Sequence, residues 1–307
     1  MTSLAARLST IVRRVPAPLI GMGLMMNAAL LSMIMASIAK GLIQELPVYE
    51  VVFFRQFIGT LLLAPLLFRP GRNPLRTRRI GMHILRAVFN FVAIVTYFTS
   101  LGLVPFAQVV ALGFTSPVFA SVLAVLILGE AMRAPRIVGL ILGFVGAMII
   151  LRPGFEDVSA GSLYALTSAA SWATAMTCIK TLSRTDSSVT ITFYAAVLQL
   201  PLAFVFAWFA WQWPTLEQLG LLLIMSVIGT LAQISLSQAF READSTVILP
   251  MDFTKLVWSS LLGYVMFAEI PDPWAWLGGI IVFSGVLWVA YSEARRRAAS
   301  ANSAVVD

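Results

Sequence analysis

Two opposite charges lie close together in an apolar part of this 307-residue sequence. Asp252 and Lys255 are the two charged residues between positions 245 and 268, and they are three positions apart. A helix would place both side chains on one face. A charge inside a membrane costs about 2.5–3.5 kcal/mol on insertion scales, so each needs a partner or a purpose. Either Asp252 binds a cation or a proton while Lys255 faces a carboxylate, or the two charges simply neutralise each other.

Two further apolar stretches carry polar side chains at helical spacing. They are His83, Arg86, Asn90 and Tyr97 in one stretch, and Thr230, Gln233, Ser237 and Arg241 in the other. Such stripes face the interior of a helix bundle. Asn90, Tyr97 and Gln233 could bind a substrate there, or could join helices through hydrogen bonds of about 1 kcal/mol each. We expect His83 and Arg86 near the membrane surface, and we do not expect His83 to carry a coupled proton.

Two more candidate binding residues come from the types of their neighbours. Trp172 lies beside two serines in a stretch of small residues and could stack on a planar ligand, although packing is an alternative role. Thr115 precedes Ser116 and Pro117, and a proline inside a helix causes a kink. We therefore expect Thr115 to line a cavity at that kink.

The remaining charges in apolar stretches have structural interpretations. Arg55 lies in an apolar stretch that begins near Glu50, and we expect an ion pair with Glu50 or Asp252. Glu130 and Glu269 each end an apolar stretch. Because helix N-termini favour negative charge, we expect both glutamates to cap the helix that follows them.

The composition shows which elements must position these residues. Apolar residues make up 59% of the chain and charged residues 11%, with a mean hydropathy of +0.90. A soluble domain averages about 45–50% apolar and about 25% charged residues, so this sequence predicts an all-α polytopic membrane protein. The predicted spans lie near residues 18–39, 50–68, 83–103, 106–128, 136–151, 160–180, 189–210, 217–239, 246–267 and 273–292.

The distribution of basic residues predicts the orientation of these ten spans. With the N-terminus in the cytoplasm, sixteen of the 21 Lys and Arg residues fall in cytoplasmic segments, and Lys40 and Arg152 alone lie on the other side. Positive charge is enriched in cytoplasmic loops. We therefore expect both termini in the cytoplasm of a bacterium, and we read the pI of about 10.1 as a property of loops at the bilayer rather than of a nucleic-acid-binding surface.

The two halves of the sequence are related by an internal repeat. A shift of 139 residues aligns Phe114 with Phe253, and it aligns the pattern Glu-x8-Gly-x6-Gly that begins at Glu130 with the same pattern at Glu269. A repeat of five spans is odd, so the second copy must enter the bilayer in the opposite direction. The sequence thus predicts two inverted five-helix repeats, over residues 1–155 and 156–307, an architecture of many secondary transporters.

Several short motifs resemble those of a known family. They are Phe54-Arg55, Leu128-Gly129-Glu130, Pro250-Met251-Asp252-Phe253 and Phe267-Ala268-Glu269. Together with the repeat, they resemble the EamA branch of the drug/metabolite transporter superfamily over nearly the whole chain, although Lys255 stands where a small or hydroxyl residue is typical. The resemblance implies a secondary carrier of small metabolites, often an exporter of amino acids as in YddG-type proteins. Similar proteins carry riboflavin or S-adenosylmethionine.

These observations combine into one functional expectation. We expect a multi-pass protein of the bacterial inner membrane that exports amino acids by alternating access, with Asp252 as the candidate for proton coupling. Import, or transport of riboflavin or S-adenosylmethionine, is the alternative, and an intramembrane enzyme or a channel is a remote one. One cysteine and one histidine exclude a Cys- or His-cluster metal site, so we expect no metal and no cofactor. Because five plus five spans complete a cavity, we expect a monomer.

Overall fold

The computed structural model describes residues 17–65, 77–128, 134–152, 158–270 and 272–303, and within these ranges all regular secondary structure is helical. The helices are α1 (Ala17–Leu42), α2 (Val48–Leu63), α3 (Ile80–Leu103), α4 (Phe106–Gly113), α5 (Ser116–Leu128), α6 (Ala134–Leu151), α7 (Ala160–Leu182), α8 (Ser188–Trp208), α9 (Leu216–Glu242), α10 (Ser245–Asp252), α11 (Thr254–Phe267) and α12 (Pro273–Ser303).

These twelve helices form ten spans, which confirms the predicted fold class. The fourth span is divided into α4 and α5, where the sequence predicted a kink at Pro117, and the ninth is divided into α10 and α11. Proline lacks the N–H that continues a helix. Pro117 lies just after the first break and Pro250 just before the second, and Pro201 is accommodated inside α8 without a break.

Within the described part of the chain, four helices are long and apolar enough to cross a membrane by themselves, namely α1, α3, α8 and α9. Helix α7 has 23 residues but is less apolar than these four, because it carries serine and threonine along its length. Several of these hydroxyls are turned inward, with Ser162, Ser168 and Ser171 all buried. The polar residues of α7 therefore belong to the interior of the bundle and not to its lipid surface.

The packing of the helices follows a twofold relation between the halves. The largest interfaces join α3 to α7 and α1 to α9, and these two pairs correspond to each other under the repeat. Two further large interfaces join helices that are equivalent in the two halves, α6 with α12 and α2 with α8. In an isologous interface, each contact between two elements occurs a second time between their equivalents in the other half. The halves are therefore related by an approximate twofold axis, as inverted repeats require.

Glycines bring α6 and α12 into direct backbone contact at this axis. A Cβ atom at Gly146 would lie 2.6 Å from the carbonyl oxygen of Gly278, and one at Gly285 would lie 3.1 Å from that of Gly139. Gly278 and Gly285 are the repeat equivalents of Gly139 and Gly146, so each contact is the symmetry mate of the other. Gly143, between Gly139 and Gly146 on α6, faces Val118 of α5 instead.

Two faces of the bundle are distinguished by the turns they carry. The hairpin face holds the short turn between α3 and α4, together with the end of α1 and the end of α11. The terminal face holds the start of α1, the turn between α7 and α8, and the turn between α9 and α10. One broken span starts at the hairpin face and the other at the terminal face. Each is broken partway between the two faces, so the two breaks lie in the middle of the bundle.

Candidate functional site

A cavity of about 360 Å³ lies between the two halves at the level of the helix breaks. Small-molecule sites usually have volumes of about 300–1,000 Å³. Six of the seven residues predicted for the site line this cavity, namely Asn90, Tyr97, Trp172, Gln233, Asp252 and Lys255. They come from α3, α7, α9 and both segments of the ninth span, so residues far apart in sequence are brought to one place.

Asp252 and Lys255 form an ion pair across the second break. Lys255 Nζ lies 2.6 Å from Asp252 Oδ1, and both side chains are 18% exposed. Asp252 ends α10, and Lys255 is the second residue of α11. The break therefore presents a carboxylate and an ammonium to the cavity side by side.

Aromatic rings form the floor between the two breaks. The ring centroids of Phe114 and Phe253 are 5.0 Å apart, and Phe253 stacks on Phe283 at 4.0 Å. Phe114 and Phe253 are repeat equivalents, so their contact lies at the twofold axis. Trp172 also lines the cavity, which offers an indole together with three phenyl rings to a planar group.

The polar groups of α3 and α9 differ in how they are satisfied. Asn90 Nδ2 donates to Gln199 Oε1 at 3.2 Å, which is the interhelical hydrogen bond considered as its alternative role. Gln233 Oε1 accepts from Arg86 Nη2 at 3.2 Å. The Tyr97 hydroxyl is buried without a hydrogen-bond partner among the described residues. Because buried polar groups are nearly always paired and Tyr97 lines the cavity, a ligand is the expected partner of this hydroxyl.

Thr115 is the predicted site residue that the structure keeps away from the cavity. Its side chain is 3% exposed, and its hydroxyl donates to the carbonyl of Leu112 at 2.7 Å. That carbonyl lies at the end of α4, where the helix break removes the usual backbone donor. The neighbouring Ser116 and Pro117 line the cavity instead.

Arg55 corrects an expectation about ion pairs. Its guanidinium donates to Met35 Sδ at 3.3 Å and to Gln56 Oε1 at 3.0 Å, and neither Glu50 nor Asp252 is its partner. Glu50 instead accepts from the backbone N–H of Gln212 at 3.0 Å. Arg55 is 8% exposed and lines the cavity. The sequence indicates that Arg55 lies inside a span, but it does not indicate which residues of other helices lie beside it.

Glu269 corrects a second expectation, because it caps a helix of the other half. Its Oε2 accepts from the backbone N–H of Phe106 at 2.8 Å, at the start of α4, and its Oε1 pairs with Lys40 Nζ at 2.7 Å. Lys40 also donates to the carbonyl of Leu101 at 2.8 Å. Asp272, and not Glu269, accepts from the first turn of α12. Glu130, the repeat equivalent of Glu269, lies outside the described residues.

A polar cluster joins the halves at the terminal face. Asp186, in the turn between α7 and α8, accepts from Thr77 at 2.7 Å and lies 2.8 Å from Nε2 of His83. Burial raises the pKa of the Asp186 carboxyl, but hydrogen bonds from His83, Thr77 and Thr185 together lower it by more than burial raises it. The pKa therefore lies below the ordinary 3.8. His83 is thus buried in a cluster near the surface and does not line the cavity.

Two inverted repeats whose broken spans meet at a central cavity define a secondary-transporter fold. The chain matches the EamA-like transporter family over residues 19–152 and again over residues 159–291, and it therefore belongs to that family. It is a multi-pass transporter of small metabolites in the bacterial inner membrane and not an enzyme.

The relatives of this chain are named for different substrates. The S-adenosylmethionine uptake transporter of Rickettsia bellii is 33% identical over 86% of this chain and 92% of its own. The riboflavin transporter of Vibrio cholerae is 34% identical over 91% and 95%, and the pseudopaline exporter of Pseudomonas aeruginosa is 30% identical over 87% and 95%. A crystal structure of another protein matches with a TM-score of 0.61 at 19% identity, covering 91% of this chain and 98% of its own, which shows the fold alone.

Proposed function

We propose that this chain transports an amino-acid-type metabolite with a planar group, with S-adenosylmethionine as the foremost candidate. This compound joins an amino-acid end and a sulfonium cation to a planar purine. The observation that carries the proposal is the Asp252–Lys255 pair facing a cavity that also holds Trp172. Charged and aromatic groups at one central cavity match the two ends of such a molecule.

Each lining group has a proposed role. Asp252 attracts the cationic part of the substrate, and Lys255 orients the Asp252 carboxylate and is the second charged group within reach. Trp172 stacks on the planar part, as aromatic faces attract rings and cations alike. The hydroxyl of Tyr97, which has no partner among the described residues, donates to the substrate.

The transport cycle follows from the repeat. The Lys40–Glu269 contact and the fully buried Phe98 and Leu101 close the space between the cavity and the hairpin face. Exchange of the conformations of the two repeats would open this face and close the other. With the termini in the cytoplasm, as the basic residues favour, the hairpin face is periplasmic. Asp252 is the proposed site of proton coupling, and one chain suffices for a cavity.

Counterflow in proteoliposomes tests this proposal. Liposomes that contain the purified protein are preloaded with unlabelled S-adenosylmethionine, and entry of the labelled compound is measured. We expect accumulation that falls at least about tenfold in Asp252→Asn and stays unchanged in Glu45→Gln, an acidic residue outside the cavity. A channel would give no counterflow. If methionine exchanges but S-adenosylmethionine does not, the chain is an amino-acid transporter without a nucleoside requirement.

Riboflavin is the second candidate, and the adjoining rings of Phe114, Phe253 and Phe283 favour it. Its planar ring system carries no permanent charge and therefore does not need the Asp252 carboxylate as a binding partner. Counterflow of riboflavin that survives Asp252→Asn, but falls in Trp172→Ala, would select this candidate. Uptake into inverted and right-side-out vesicles then shows whether the chain imports or exports, as the amino-acid exporter prediction requires.

A further inference from the structure

Arg55 is a buried cation without a carboxylate partner among the described residues. It is only 8% exposed, and its guanidinium donates to a thioether and to an amide oxygen. Among the ion pairs of the described residues, none includes Arg55. A guanidinium has five N–H donors, so most of its capacity is unused. By contrast, Lys255 already has a carboxylate at 2.6 Å.

The position of this guanidinium is fixed by its surroundings. A Cβ atom at Gly229 of α9 would lie 3.2 Å from Arg55 Nε and 3.3 Å from Nη2, so the guanidinium lies against bare backbone. Met35 and Gln56 hold its other edges. A planar cation that is held in place before a ligand arrives loses little entropy on binding.

Arg55 also opens onto a small crevice beside the main cavity. This crevice has a volume of about 20 Å³, and Arg55, Asn90 and Gln233 line both spaces. Gln56, Gln199 and Thr230 complete its polar wall. A space of this size holds about one water-sized group. It admits a carboxylate oxygen and is too small for a phosphate.

The second buried arginine adds to the positive potential. Arg86 is 1% exposed and donates to the carbonyl of Ile191 at 2.5 Å and to Gln233 Oε1 at 3.2 Å. Because Arg86 occupies the oxygen of Gln233, the amide nitrogen of Gln233 is the end left to donate. The Arg55 guanidinium and the Gln233 amide therefore line the crevice, Arg86 binds the oxygen of that amide, and no carboxylate of the described residues lines the space.

We infer that Arg55, assisted by the amide nitrogen of Gln233, binds the carboxylate of the transported substrate in this crevice. The inference rests on the proposed function and deepens it, because it restricts the substrate to metabolites with a carboxylate. The substrate then lies between Arg55 at one end and Asp252 at the other. Bidentate pairing of a guanidinium with a carboxylate supplies both strength and orientation.

Paired ligands test this assignment through binding to the purified protein. S-adenosylmethionine is compared with decarboxylated S-adenosylmethionine, which lacks only the carboxylate, and methionine is compared with methioninamide. We expect the wild type to bind each carboxylate form about 10- to 100-fold more tightly, since hydrogen bonds to charged groups carry that discrimination. Arg55→Gln should abolish the discrimination and leave the affinity for the decarboxylated compound unchanged, and Arg55→Lys should retain part of it.

The outcomes separate this inference from the proposed function. Equal affinity of the wild type for S-adenosylmethionine and its decarboxylated form overturns the inference alone. Binding of riboflavin but of no carboxylate overturns both. If Arg55→Gln does not fold, Gly229→Ala provides the second test, because its methyl group would lie 2.7 Å from Met35 Sδ and 3.2 Å from Arg55 Nε, so that the guanidinium and the sulfur that holds it must both shift while the charge is kept. A discrimination that Gly229→Ala leaves intact then also overturns the inference.

Discussion

The two broken spans meet at the centre of the molecule but are broken in different ways. In the first, Phe114 and Thr115 separate α4 from α5, and Pro117 lies three positions after Phe114. In the second, Phe253 separates α10 from α11, and Pro250 precedes the break by three residues. Both phenylalanines keep right-handed helical dihedrals, so each break bends the span without reversing it. The repeat therefore conserves the position of the break and not the proline that causes it.

The breaks differ more in charge than in geometry. Asp252 and Lys255 of the second break correspond, under the shift of 139 residues, to Gly113 and Ser116 of the first. All four residues line the cavity. At the breaks, the second half thus supplies two charged groups to the cavity, and the first half supplies two small, neutral ones. A single substrate without twofold symmetry requires such a difference, and a shared architecture with unequal breaks provides it.

Removal of the space at the twofold axis should have the largest effect, because both breaks are positioned by it. A methyl group in Gly146→Ala would lie 2.6 Å from the Gly278 carbonyl oxygen and 3.0 Å from the backbone nitrogen of Val282, so backbone must move. We expect a loss of about 1–3 kcal/mol in stability, typical of overpacking. The thermal midpoint of the detergent-purified protein, followed by size-exclusion chromatography, measures it.

The control for this variant is Gly23→Ala, since no atom of the described residues lies within 4 Å of a Cβ at Gly23. Its midpoint should stay equal or rise slightly, because alanine favours helices over glycine. Equal midpoints for Gly146→Ala and Gly23→Ala would show that the two halves are not held together by this glycine contact.

Neutralisation of the second break should have the next largest effect and makes it resemble the first. Asp252→Asn or Lys255→Met alone leaves an uncompensated charge in an apolar surround, whereas the double variant leaves none. Because both side chains are partly exposed, we expect each single variant to lose about 1–2 kcal/mol and the double variant to lose less than their sum. A double-mutant cycle of thermal midpoints measures the coupling. Simple additivity would mean that the two charges act independently.

The sequence predicts the features that depend on spacing within one helix or on the repeat. The Asp252–Lys255 pair follows from a spacing of three positions, and the repeat predicts that Phe114 and Phe253 are equivalent but not that their rings touch. Which helix of the other half lies opposite a given residue cannot be read from periodicity. For that reason Arg55 was expected to pair with an acid, although its neighbours prove to be a methionine and a glutamine.

At helix termini, too, the sequence predicts local features but not contacts between residues far apart in the chain. The sequence correctly identified Glu269 as a residue that caps a helix, because its charge and position at a span end favour that role. It assigned the wrong helix, since the start of α4 lies closer in space than sequence order indicates. Thr115 was placed in the cavity because of its neighbours, but its hydroxyl donates to the carbonyl of Leu112 at the break.

Loss of the Glu269 contact should have a smaller effect, concentrated at the hairpin face. In Glu269→Gln the charge that binds Lys40 and the Phe106 N–H disappears, and lost helix caps typically cost about 0.5–2 kcal/mol. This contact holds the start of the first broken span to the second half, so the face should open more often. We expect about fivefold faster maleimide labelling of a cysteine at Leu101 in a Cys178→Ser background, since Leu101 is fully buried.

Glu45→Gln is the matched control for this variant, because Glu45 lies on the same face and binds the exposed Gln218. Its labelling rate should match the parent protein. Rates that rise equally in both variants would point to a general loosening of the face and would remove Glu269 as its specific closure.

The smallest expected effect concerns Asp186 at the terminal face, where a residue of the second half again holds a helix start of the first. The pKa of Asp186 lies below 3.8 in the folded protein, so ionised Asp186 stabilises the fold above that pH, and the contribution is lost as the pH falls through the folded-state pKa. Asp186→Asn should therefore lower the thermal midpoint by about 2–4 °C at pH 7. The difference from the wild type should shrink as the pH is lowered below 3.8. Thr77→Val removes one donor and should give a smaller difference with the same dependence, whereas a pH-independent difference would assign the effect to packing instead of charge.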